Sequence, residues 1–594
     1  MRLIISQFLR TLRERDEFDR LLPDLLLAMG YVPLAKPQTG VRQFGVDLAV
    51  VGKSPVDGVE ELLLLVIKQG DLGRRDWDSG EPTSVRPSLN EVLDVYLTKL
   101  VAPEHAGLRK TIVLATTGDL KQDVETNWTG FKEQNSARAG FEFWGADRVS
   151  NLIERFMLDE NLFAPSDRAD LRKALALASD SDYDFRDLNR MLLRQLGLTP
   201  DGKLQMPSLD TKSLQKAFRR VHLAAQICTR WAQNEGDSRQ ALWISERTLL
   251  WAWHRLQLTD PKERPKLHGT IGGLWHSYTE AAARYFDVIR PHVEVRDGMA
   301  GYGSEGAAFA VVLFEHIGLM ASIGLACRLD PANDPEAKAT IQGNIAAVAD
   351  GLCALIQNHE ASASPRLDRH IIDITLALTF LMLAGRADVA KDWVTEMARR
   401  LDYCFKTESR FPVSTDSLED LVELEVNPKD SRLIDTLMGT SWSLATITAW
   451  CVLFDLDDHY AALARGVAGP YNKVCAQLWH PTNDWPDSWY FGGSLDHGEA
   501  EAPYALLPAI ADMKQRMKQF LDRPEFDWVE SSPTRKVGLW ALDFIACRHF
   551  RMPVPASAWY RLGIKRSEDE GAAHVSGLKD ITELEVRGSH SSGD

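Results

Sequence analysis

Two hydrophobic rhythms divide the chain. Up to about residue 160, short apolar runs of strand length stand between helical stripes, and beyond residue 165 the helical period dominates. Phe18, Leu21, Leu22, Leu25 and Leu26 recur at spacings of three and four, which predicts a helix over residues 4–30 closed by Gly30. Pro23 is expected near a helix start, where its missing N–H is tolerated. Phe44–Val51 is mostly β-branched and aliphatic and predicts a strand. Leu62–Ile67 is continuously apolar and predicts a strand covered on both faces. The turn residues of 52–58 make the two a hairpin. A helix is expected over 88–100, with Ser88 as N-cap and Glu91 completing a capping box. Then follow a strand at 110–116, a helix at 119–134, a strand at 141–144 and a helix at 147–156 with Val149, Leu152 and Ile153 inward. This order predicts an α/β domain over residues 1–163, a mixed central sheet flanked by helices.

The remainder reads as a large all-α region over 164–566, a bundle or irregular solenoid, since no period of 34 or 40 residues emerges. Helices are expected at 213–233, 240–258, 273–293, 307–329, 372–401, 433–455, 458–480, 503–522 and 535–550. Residues 567–594 are polar and charged and are expected to be disordered. The apolar run 307–327 is long enough to span a bilayer. Glu315 and His316 at its centre favour a buried helix instead, where the two are expected to satisfy each other. The apolar run at 375–384 is too short to span, and no membrane partner is expected.

Composition sharpens this picture only in places. Of 594 residues, 45% are hydrophobic and 26% charged, which places the chain among ordinary globular proteins. The net charge of −16 excludes a protein coated in basic surface for non-specific nucleic-acid binding. Residues 1–165 hold 20 Lys and Arg against 25 Asp and Glu, a net of −5, so any contact with DNA must use a local cluster. None of the seven cysteines stands in C-x-x-C spacing. Neither a zinc site nor a disulfide framework is indicated, and a reducing cytoplasm is the expected location. The N-terminus has charges throughout and lacks a signal-peptide core.

Candidate chemistry gathers on the hairpin. Asp47 interrupts the first apolar run and Lys68 ends the second. A carboxylate and an ammonium on adjacent strands can hold a divalent cation and face a phosphate. Read alone, Asp47 only shapes a turn after Gly45, and Lys68 only marks where a strand reaches water. The polar loop 71–87 brings Arg74, Arg75 and Arg86, the densest basic group nearby. Elsewhere, residues 479–504 carry six aromatics with several Asp, Glu and His. Their spacing fits no metal motif, and a loop pinned by buried Trp side chains is expected. Trp243, Trp251 and Trp253 read as core rather than as a base-stacking platform.

Five stretches in order carry a family resemblance: FDRLLPDLLLAMGY, GVDLAVV, LLLVIKQ, TIVLATTGDL and FEFWGADRVSNLI. Over roughly residues 10–160, about a quarter of the chain, the segment resembles the Mrr-type branch of the PD-(D/E)XK nucleases, the restriction-endonuclease-like fold. The resemblance implies a Mg2+- or Mn2+-dependent endonuclease acting on nucleic acid, DNA foremost, as an effector of prokaryotic restriction or anti-phage defence. It implies Asp47 as the metal-binding carboxylate and Lys68 as the catalytic lysine. The acidic or Gln position two residues before that lysine is Val66, a departure, since valine can neither coordinate a metal nor position water. Glu91 is the first candidate for the missing acid, both catalytic and metal-binding, and Glu17 and Asp19 are second candidates. Arg74, Arg75 and Arg86 would hold the phosphate backbone, which gives affinity without sequence reading. The alternative reading is a catalytically inactive nuclease-like module serving as an interaction or sensing scaffold. In either case the helical region is expected to serve a protein partner or self-association.

Overall fold

In a computed structural model of the chain, five strands follow one another across a single sheet in chain order: Val32–Pro33 (β1), Leu48–Lys53 (β2), Glu60–Lys68 (β3), Arg109–Thr116 (β4) and Gly140–Trp144 (β5). The residues described are 2–12, 14, 18–34, 44–81, 83–157, 165–178, 183–206, 208–300, 307–329, 335–408, 411–469, 472–482, 485–492, 498–523 and 528–571. The first three strands form an antiparallel meander, whereas β4 and β5 run parallel to β3. The mixed α/β character expected for the N-terminal part is therefore present. The change of sense at β3 has a local cause. A six-residue turn suffices between β2 and β3, but β3 to β4 requires a helical crossover.

Several element boundaries differ from expectation. Two helices, Arg2–Thr11 (α1) and Asp19–Ala28 (α2), replace the single helix 4–30, and Pro23 lies inside α2 rather than near its start. Phe44–Asp47 is a turn, with positive φ at Phe44 (50°) and Gly45 (78°), so Asp47 precedes β2 instead of interrupting it. The first crossover begins with Arg74–Trp77 (α3) and continues as Val85–Glu91 (α4), whose N-cap is Ser84. Ser88 lies inside α4, its hydroxyl on the Ser84 carbonyl at 2.9 Å, and the expected capping box with Glu91 does not form. A π-helical stretch, Val92–Leu100, completes the crossover. Gln122–Asn135 (α5) and Ala146–Leu152 (α6) flank β5, and Val149, Leu152 and Ile153 are buried as expected.

One core cluster joins Leu62, Leu64 and Val66 of β3 to Ile112 and Leu114 of β4 and to Leu89 and Val92 of the crossover helix. The far end of the sheet is closed by a polar knot. Buried Glu61 accepts from Tyr31 (2.7 Å), Arg109 (2.9 Å) and Thr111 (3.1 Å), so its charge is compensated. Arg109 also holds the Asp57 carboxylate of the β2–β3 turn down to about 2.

The described chain divides into two compact units, residues 1–248 with 262–274, and 249–261 with 275–594. The first unit therefore extends past residue 163 to include Pro165–Leu177 (α7), Arg186–Leu196 (α8) and Thr211–Asn234 (α9). α7 and α8 are riveted by ion pairs from Arg190 and Arg194 to Asp167 and Asp170, and Arg190 also pairs with Asp187 within α8.

The second unit is almost wholly helical. The expected helix 372–401 is broken at Gly385 (φ 72°) into His370–Leu383 and Ala387–Glu408, because glycine supplies the left-handed residue that ends a helix. The helix expected over 433–455 is likewise two, Ser431–Leu437 and Trp442–Leu453. That expected over 458–480 stops at Ala468, and Leu478–Pro481 is instead a strand paired with Gly498–Glu501. The last helix, Ala556–Gly571, runs past residue 567, and the rest of the tail lies outside the described residues. Among the described residues, two helices are long and apolar enough to cross a membrane, 308–328 and 339–358; 72% of the window in the first is buried within the protein. His316 bonds the Tyr285 hydroxyl of a neighbouring helix. Trp485, Trp489 and Trp528 are buried against one another, as expected for the 479–504 loop.

Next to those tryptophans, Asp543 is fully buried and accepts from Ser532 (2.6 Å), Thr534 (2.6 Å) and Tyr490 (2.7 Å). Among the described residues no cation shares this bonding set, and burial pushes its carboxyl up to about 6. A raised native value means that the folded state holds its proton more tightly than the unfolded chain. This contribution to stability is complete below the unfolded value near 3.8 and is lost as pH climbs through about 6, amounting to roughly 3 kcal/mol. The expected result is that Asp543→Asn, isosteric and always neutral, flattens the fall in urea midpoint between pH 4 and 6.5. An unchanged slope would assign it to other groups.

Candidate functional site

Asp47 is fixed by the strand beside it. Its N–H donates to the Leu65 carbonyl (2.9 Å), and its Oδ2 accepts the Ile67 N–H at 2.7 Å. The register Leu48↔Leu65 places Asp47 opposite Val66. Alternation along β3 puts Leu62, Leu64, Val66 and Lys68 on one face. The first three are sealed in the core, and Lys68 emerges half-buried where the strand ends opposite Thr116. Asp47 and Lys68, 21 positions apart in sequence, thus lie at the same end of one strand pair.

The turn that carries Asp47 is pressed against α4. A Cβ on Gly45 would lie 2.2 Å from the Ser88 carbonyl and 3.1 Å from Val92 Cγ2, and φ there is +78°, so the position demands glycine on two counts. Glu91, half-buried, is the last residue of α4 and adjoins Val92. The fold therefore sets Glu91 on the helix segment that supports the Asp47 turn. Asp19 opens α2, and Glu17 lies outside the described residues. Val66 is fully buried among apolar side chains and offers no ligand.

The arginines differ among themselves. Trp77 packs edge-on against Trp128 (6.3 Å) and Phe131 (5.9 Å), which anchors α3 and leaves Arg74 and Arg75 exposed on a fixed turn. Arg86 is engaged by Asp78 at 3.3 Å.

The structure adds residues that sequence reasoning missed. The segments after β3 and β4 are stitched together: Gly70 N–H donates to Thr117 Oγ1 (2.8 Å), Thr116 Oγ1 to the Gly70 carbonyl (2.6 Å), and Leu72 N–H to the Asp119 carbonyl (2.8 Å). A Cβ on Gly118 would sit 2.4 Å from the Gly70 carbonyl carbon, so this crossing too depends on glycine. Arg10 of α1 reaches both Asp71 and Asp119 here, at the carboxyl ends of the parallel strands, where α/β sheets commonly place their ligands. No local signal could have found Arg10, which lies 61 and 109 positions from its partners.

Val66→Glu, which would write in the missing family acid, is expected to destabilise rather than to complete the site. It buries a carboxylate among leucines at a cost of at least about 3 kcal/mol, readable as a lower urea midpoint. An unchanged midpoint would show that this position reaches water.

No protein-family model, curated protein or solved structure matches the chain.

Proposed function

We propose that the first unit is a metal-dependent nuclease of the Mrr-type PD-(D/E)XK kind, hydrolysing phosphodiester bonds in nucleic acid, with DNA as the substrate and prokaryotic restriction or anti-phage defence as its setting. The observation that carries this reading is the Asp47 carboxylate bonded to the Ile67 amide, one residue before Lys68, at the open end of an antiparallel meander continued by a parallel strand.

The donor set is sparse. Among the described residues, no three His, Cys, Asp or Glu gather into a group able to hold a metal ion. It suits Mg2+ as that ion is commonly held, by one or two carboxylates completed by water and substrate phosphates. Asp47 would hold it, with Glu91 as the second carboxylate, and the ion would supply charge stabilisation at the scissile phosphate and an activated water. Lys68 would neutralise charge growing on the phosphate. Arg74 and Arg75 would grip the backbone, and Arg86 would join with the donors that its single contact to Asp78 leaves over.

Full burial of Val66 favours the second reading, a nuclease-like module that binds without cutting. Incubating the purified chain with supercoiled plasmid and Mg2+ or Mn2+, against an EDTA control, separates the two. Metal-dependent nicking supports the nuclease. DNA binding without nicking under either metal supports the module.

A further inference from the structure

A cavity of about 400 Å3 opens in the second unit between the helix Ala387–Glu408 and the segment that includes Phe411–Val413. That volume is in the range that holds a small molecule. Its floor is apolar, built from Leu401, Phe411, Val413, Leu421 and Leu424, all buried. Its walls carry Arg366, Arg399 and Arg400 together with Glu360 and Glu425, a dense group of guanidinium donors on a chain of net charge −16. Tyr403 also lines it and is 64% exposed, an unusual position for a large ring.

The guanidinium groups are held in place but not exhausted. Arg400 donates to Ser364 Oγ (3.0 Å), to the Glu360 carboxylate (3.0 Å) and carbonyl (3.2 Å), and to Glu396 (2.5 Å). Arg399 forks onto Glu396 through Nε and Nη2 (2.9 and 2.7 Å), and the two arginines together hold that carboxylate down to about 2. Arg366 spends one nitrogen on Glu425. Each guanidinium has five N–H donors, so Arg366 and Arg399 retain several beyond these bonds and Arg400 retains one. Glu360 is 77% exposed, and such a carboxylate exchanges readily for a better anion.

From this arrangement we infer that the cavity binds a mononucleotide. Its phosphates lie on Arg366, Arg399 and Arg400, and its flat base seats on the apolar floor beside Tyr403. Forked guanidinium groups match phosphate oxygens bidentately, and an exposed tyrosine ring offers a face for stacking. The site belongs to the helical unit and is independent of the nuclease reading.

Isothermal titration of the full chain with ATP, GTP, CTP and UTP, and with pyrophosphate as the charge-only control, tests the inference. At least one nucleotide is expected to bind, and more tightly than pyrophosphate. Arg399→Gln and Arg366→Gln are expected to weaken it about tenfold each, and Tyr403→Ala several-fold. Arg399 and Tyr403 are largely exposed, so these variants leave the fold intact. Arg296→Gln, on an 86% exposed side chain outside the cavity, should bind as wild type. The inference is overturned by no binding of any nucleotide at millimolar concentration, by pyrophosphate binding as tightly as the nucleotides, or by cavity variants that bind unchanged.

Discussion

Asp47→Ala and Lys68→Ala are each expected to lower Mg2+-dependent plasmid nicking by on the order of 10²–10³-fold, with the unfolding midpoint shifted far less than activity. The reasoning is geometric. Asp47 meets β3 through its backbone N–H and one carboxylate oxygen, and alanine removes only the second of these. Lys68 ends its strand half-buried, so truncating it opens no core cavity. Under the nuclease reading both groups act on the phosphate, the carboxylate through the ion and the ammonium directly. Glu91→Gln then asks whether the crossover helix supplies the second acid, and a loss equal to that of Asp47→Ala would say that it does. Nicking that survives both alanine substitutions would remove this strand end from the chemistry altogether, and Asp71 with Asp119 would become the next carboxylates to test.

The largest expected effect on stability lies in the second unit. Arg551 places Nη1 on both oxygens of Asp373 (3.0 and 2.9 Å), Nε on Asp416 (3.0 Å) and Nη2 on the Arg369 carbonyl (3.0 Å). Asp373 is 1% exposed and is pressed by Gly318, whose Cβ, were there one, would sit 2.0 Å from Oδ1. Arg551→Met keeps the apolar stem and deletes the charge, stranding a buried carboxylate. It is expected to cost about 3–5 kcal/mol in urea unfolding, whereas the double change with Asp373→Asn should cost much less, because neither charge then remains alone. A cost below about 1 kcal/mol for Arg551→Met would mean that water reaches Asp373 in solution.

Which parts of this protein could be read from the chain follows from how local each signal is. The strand Glu60–Lys68 was legible because seven of its nine residues are buried, a pattern that few other elements produce. Helices such as Thr211–Asn234 were legible from their period. The breaks were not. Gly385 looks like any helix glycine until its φ of +72° is seen, and the strand Leu478–Pro481 exists only because Gly498–Glu501 pairs with it. The capping box at Ser88 misled for a related reason. The motif was present, but Ser84 stood one turn earlier and took the cap position.

The candidate site divides in the same way. Sequence alone determined a lone carboxylate at the first apolar run, the lysine at a strand end, the excluded functions of a −16 chain and the departure at Val66, because these are properties of residue type and short-range order. Tertiary structure decided that Asp47 is anchored on the Ile67 amide, that Val66 belongs to the core, that Arg86 is tied to Asp78, and that Arg10 reaches the carboxyl ends of β3 and β4. It also decided that three arginines and an exposed tyrosine surround one cavity. Those facts depend on which distant segments pack together. Packing is set by the summed burial of many side chains, a quantity that no short stretch of sequence contains.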